Sequence, residues 1–107
     1  MNTSLENALK VNMENIIRKF PLGKTFDSHQ FLFEFTHSCQ KEYIEGLSEV
    51  KDKKGPFGIV NGLIAKYISE HSQCAQKSLD SNGKPKRVPS KTIFDTDGYN
   101  QEWVRVK

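Results

Sequence analysis

Apolar residues fall at Leu5, Leu9, Met13, Ile16, Ile17 and Phe20, close to the 3.6-residue turn of an α-helix, with acids, amides and Lys10 between them. Thr3 or Ser4 suits the start of this helix as a cap, and Pro21-Leu22-Gly23 stops it. In "KTFDSHQFLFEF", Thr25-Phe26 makes a very short extended segment, and Asp27 or Ser28 caps a second helix. That helix turns Phe31, Phe35 and Leu32 inward and leaves Phe33 off the stripe. A third helical stretch places Tyr43, Ile44 and Leu47 at helical spacing, and ends before the cationic loop that contains Lys51, Lys53, Lys54 and Gly55. Pro56 suits the first turn of a fourth helix. The fourth helix has the clearest period, with Val60, Leu63, Ile64, Tyr67 and Ile68 on one stripe. Small or polar residues occupy its other face: Asn61, Gly62, Ala65, Lys66, Ser69 and Gln73.

Beyond His71 the pattern changes. Asn82-Gly83 is a strong hairpin dipeptide because both residues tolerate positive φ. "KTIF" and "EWVRV" have the β-branched and aromatic content of short strands, and "DTDG" between them reads as a turn. Ile93, Phe94 and Trp103 are too apolar to leave in water, so the chain must return to the helices after its basic stretch. The expected class is α+β: a mainly helical N-terminal part and a small C-terminal β hairpin within one domain, 1–107, with 75–92 as a basic arm. The stretch 81–90 has two prolines, a glycine and almost nothing apolar to bury, so mobility is expected there.

Composition narrows the class. At 36% hydrophobic, 27% charged and 10% aromatic, the 107 residues are those of a globular chain with one core. No apolar run approaches the roughly 20 residues of a membrane span, and the N-terminus lacks a signal-peptide pattern, so a cytoplasmic protein is expected. Two cysteines, Cys39 and Cys74, fit a reducing compartment. The net charge of +3 is unevenly spread: cations and acids balance at nine each over 1–70, stand at five to one over 71–91, and at two to three over 92–107. Such a local excess invites an acidic partner, unless the lysines only keep a loop solvated.

Catalytic and metal chemistry find little purchase. His37-x-Cys39 and His71-x-x-Cys74 together supply the four ligands of a structural zinc site, but residues two apart on a helix diverge by about 200°, and the spacing matches no recognised zinc pattern. Asp95 and Asp97 could open a calcium loop, but its invariant glycine would fall on Asn100 and its closing acid on Val106. Asp27, Ser28 and His29 are adjacent in sequence, which fits a helix cap better than a triad assembled in space. No enzyme, metal or cofactor is expected.

The order of helix, very short extended piece, further helices and a hairpin with a basic loop, closed by "SKTIFDTDGYNQEWV", resembles the winged-helix variant of the helix-turn-helix superfamily over 5–106. The resemblance implies that the helix before the wing enters the major groove of DNA and that the wing touches the backbone or minor groove. It directs attention to Asn61, Lys66 and Ser69 on that helix and to Lys77, Lys84, Lys86, Arg87 and Lys91 on the wing. Lys51, Lys53 and Lys54 join them as cations that attract phosphate without special geometry. Two functions are expected: a small DNA-binding regulator taking double-stranded DNA, or a protein-interaction module that docks the small-residue face of the fourth helix. The cation-poor character of that face favours the second, and the concentrated charge of the arm favours the first. The sequence carries no sign of oligomeric state.

Overall fold

In the computed structural model, which describes residues 3–91 and 97–107, helix α1 (Thr3–Ile17) buries Leu5, Ala8, Leu9, Met13, Ile16 and Ile17 along one face. Thr3 and Ser4, expected as caps, already lie within this helix. Strand β1 (Thr25–Asp27) leads directly into α2 (Ser28–Ser38), where Asp27 and Gln30 form a reciprocal capping box. Cys39 interrupts the chain between α2 and α3 (Gln40–Glu49). On α3, Tyr43 is buried and Leu47 partly so, whereas Ile44, the third apolar residue at helical spacing, is exposed. The inward place belongs to Gly46, where an added Cβ would sit 2.9 Å from Leu5 Cδ2. Gly55, at φ +70°, turns the chain into α4 (Pro56–His71), with Pro56 in its first turn.

The sheet is organised around one strand, β4 (Asp97–Arg105). β1 lies antiparallel on one edge of it, with Phe26 opposite Trp103. β2 (Ala75–Lys77) lies on the other edge, with Lys77 also opposite Trp103. β3 (Arg87–Lys91) continues along the edge that β2 occupies and pairs from Arg87 opposite Gln101 to Lys91 opposite Asp97. The join is at Glu102, whose carbonyl accepts from Ser78 N–H and whose N–H donates to the Lys86 carbonyl.

These strands differ from the expected ones. Of the strand expected at 91–94 only Lys91 is described, at the end of β3 (Arg87–Lys91), a strand that was not expected; Asp97 and Gly98, read as turn, belong to β4. Ile93 and Phe94 lie outside the described residues. Much of the stretch expected to be mobile is laddered. Its prolines allow this, because Pro85 and Pro89 stand opposite Leu79 and Tyr99 at pairs that exchange no ladder hydrogen bonds. Neither position needs an N–H donor toward its partner.

The core lies between the helices and the inner face of the sheet. Phe20, Phe26 and Trp103 stack in sequence, with centroid separations of 4.7 and 5.8 Å. Two polar clasps close it. Glu14 on α1 accepts hydrogen bonds from Ser72 Oγ and Gln73 N–H where α4 hands over to β2. Arg105 Nη1 donates to the carbonyls of Arg18 and Phe20 just beyond α1. Among the described residues no helix is long and apolar enough to cross a membrane.

Candidate nucleic-acid interface

A groove of about 270 Å³ opens between α4 and the sheet, lined by Ala65, Lys66, Ser69 and Glu70 of the helix and by Lys77, Gln101 and Trp103 of the strands. Helical spacing puts Ala65, Lys66, Ser69 and Glu70 on adjoining positions of one face. Strand alternation puts Gln101 and Trp103 on one side of β4, and Lys77 joins them as the direct partner of Trp103. Three of the residues expected to bind nucleic acid, Lys66, Ser69 and Lys77, therefore meet in one place. Arg87 stands beside them as the partner of Gln101.

The cations differ in how free they are. Lys66 Nζ lies 3.9 Å from Glu70 Oε1 one helical turn on, both exposed, so the pair contributes little and opens readily to another anion. Lys86 Nζ lies 3.8 Å from Glu102 Oε1, whose side chain is largely buried. Arg87 donates from Nη2 to the Tyr99 carbonyl, at 3.3 Å. Lys84 is exposed in the turn between β2 and β3, and Lys91 closes β3. Lys51, Lys53 and Lys54 are exposed in the loop before α4. With a rise of 1.5 Å per residue, about 15 Å of helix separates the start of α4 from Lys66, so these lysines form a second cationic zone outside the groove.

Asn61 has a structural task, since its Oδ1 accepts from Tyr43 Oη at 2.7 Å and ties α4 to α3. Burial raises the Tyr43 phenol above its ordinary range, and the hydrogen bond to Asn61 partly offsets this. Gly58 and Gly62 leave open space on α4, with no atom within 4 Å of where a Cβ would stand.

Several other candidate residues make structural contacts, and Asp95 lies outside the described residues. Asp27 caps α2, Ser28 is buried, and His29 Nδ1 lies 2.9 Å from Ser90 Oγ, fastening β3 to the start of α2. Cys39 and Cys74 are buried and reduced, while His37 and His71 are exposed. Burial pushes both thiols up, reinforced by Glu42 at Cys39 and by Glu14 at Cys74. Among the described residues no three His, Cys, Asp or Glu side chains gather as a metal site requires.

Sequence reasoning missed Gln101 and Tyr99 as neighbours of the candidate site. Their signal was the alternation Tyr99, Gln101, Trp103, which becomes visible only once β4 is known to begin at Asp97. No family model, curated protein or solved structure matches the chain.

Proposed function

We propose that this chain is a small, non-enzymatic DNA-binding regulator that holds double-stranded DNA with α4 and a basic wing, on a scaffold of the winged-helix type. The observation that carries the reading is the groove where Lys66 and Ser69 of α4 meet Lys77 of β2, with Arg87 alongside. A helix and the sheet that follows it thus offer cations to one ligand, the kind of contact that positions a protein on a phosphate backbone, while the Ser69 hydroxyl donates back to the Ala65 carbonyl. The strand arrangement supports the scaffold: β1, between α1 and α2, pairs with one edge of β4, and β2, after α4, pairs with the other. No cofactor enters this binding, which is driven by counterion release.

The test is affinity for a random-sequence duplex across a salt series. Changing Lys66, Lys77, Lys84 and Arg87 together to Gln should weaken binding and reduce the log–log salt slope by at most about 3.6, near 0.9 for each phosphate no longer neutralised. Lys86→Gln alone should change it little, because Glu102 already answers that charge. An unchanged slope in the quadruple variant would remove the groove and wing from the reading. The open, cation-poor face at Gly58 and Gly62 favours the second reading, a protein-interaction module. Absence of salt-dependent duplex binding would leave that one standing.

A further inference from the structure

Between β2 and β3 the chain leaves the edge of β4 and makes a small hairpin of its own. Lys86 N–H donates to the Ser78 carbonyl at 2.8 Å, Leu79 stands opposite Pro85, and Asp80 N–H donates to the Lys84 carbonyl at 2.8 Å. Asp80 then organises the tip. Its Oδ1 accepts from Asn82 N–H at 2.8 Å and Lys84 N–H at 3.1 Å, its carbonyl accepts from Gly83 N–H, and Gly83 takes φ +75°. One oxygen of the carboxylate is therefore engaged within the turn, and these backbone groups of the tip are paired. This is a stiff element held by polar contacts.

What it presents is apolar. Leu79 is 60% exposed and its partner Pro85 is exposed too. Cations surround the pair in the chain: Lys77 two residues before Leu79, Lys84 and Lys86 on either side of Pro85, then Arg87. A lone exposed leucine needs no explanation. A leucine and a proline fixed side by side on a stiff projection near Lys77, Lys84 and Arg87, with Lys86 facing Glu102, match the tool with which proteins open base steps from the minor groove.

We propose that this hairpin is a wedge: the cations bring it to the backbone of a duplex, and Leu79, backed by Pro85, enters the minor groove and partly unstacks one base step, kinking the DNA. The inference rests on the DNA-binding reading. The minor groove is only about 6 Å wide in straight DNA, so entry of a two-stranded element and bending of the duplex are coupled. Duplexes that are already easy to kink should be preferred, since less stacking is lost.

The experiment compares two end-labelled 20-base-pair duplexes of random sequence, one intact and one with a central two-base mismatch, measuring affinity and end-to-end energy transfer together. The parent protein should change the transfer on the intact duplex and bind the mismatched one about tenfold more tightly, since part of the unstacking cost is already met there. Leu79→Ser should lose most of both effects while keeping the salt slope, and Leu79→Met, also apolar and flexible, should retain them. The exposed position makes both variants foldable, which an unchanged thermal midpoint would verify. Binding without any change in transfer, equal affinity for the two duplexes, or an unaffected Leu79→Ser variant would overturn the wedge and leave the DNA-binding reading intact. Failure to bind either duplex at low salt would overturn both.

Discussion

Trp103 shows how much one position can carry. It is 1% exposed, stacks on Phe26, and stands in register with β1 on one side and β2 on the other, yet its Nε1–H has no partner among the described residues. An indole donor left unpaired in the interior costs about 1–3 kcal/mol, a cost that the buried area of the ring outweighs. The two ways of altering it should therefore diverge. Trp103→Ala should cost about 3–5 kcal/mol through the cavity it leaves. Trp103→Phe also loses volume but abolishes the unpaired donor, and should cost about 1 kcal/mol or less. Urea unfolding of the two variants checks this, and a parent emission maximum typical of indole in water would contradict the burial on which it depends. Burial itself was legible, since a lone Trp beside Val104 in a strand-like run has few other places to go. The missing acceptor was not legible, because no neighbour in the chain decides what stands near Nε1.

The glycines of α3 and α4 separate packing from function at the scale of an element. Gly46 lets α3 approach α1, and a methyl group there meets Leu5, which is itself fully buried. Overpacking of about 1–3 kcal/mol should exceed the gain of roughly 1 kcal/mol that alanine brings to a helix interior, so Gly46→Ala should be destabilising by about 1 kcal/mol. Gly62 faces open space, so Gly62→Ala should stabilise the protein by up to about 1 kcal/mol. If that glycine serves close approach to a partner, the same substitution should weaken binding, and thermal midpoint and affinity measured together would reveal the opposition. Helices such as α4 were legible because their pattern repeats within the element. β3 was not legible, and β4 only from Glu102, because a ladder is set by its partner: Arg87–Lys91 lacks a strand-like composition and is a strand because β4 lies beside it.

Across the whole molecule, the buried ionisable groups act in one direction. The Cys39 and Cys74 thiols and the Tyr43 phenol are all raised, chiefly by burial, so in the folded state each keeps its proton to higher pH than in the unfolded chain. The unfolded state then binds fewer protons, and stability must fall as pH rises, beginning above about 8.5 where unfolded thiols ionise and steepening near 10 with the phenol. The urea midpoint should therefore be lower at about pH 10 than at about pH 7, and equal midpoints would contradict the burial of these groups. The candidate site was legible at this scale only in part. Charge division along the chain pointed to the arm, but the meeting of Lys66, Ser69 and Lys77 depends on how far α4 and β2 run before they face each other.

The sheet's dependence on β4 has a consequence in time. β1, β2 and β3 all pair with that strand, and it follows every other element in chain order. A chain made from its N-terminus thus emerges with α1 to α4 and three strands in hand, and the strands have nothing to ladder against until β4 is synthesised. Pairing β1 to β4 closes a loop of more than 70 residues, a slow step when the pairing partners are so distant in the chain. Until then the face of Phe26 that awaits Trp103 stays wet, and the nascent chain exposes apolar surface of the kind that chaperones and proteases engage. Truncation within β4 should therefore yield a chain that is degraded as a whole, and not a shortened protein with one strand fewer.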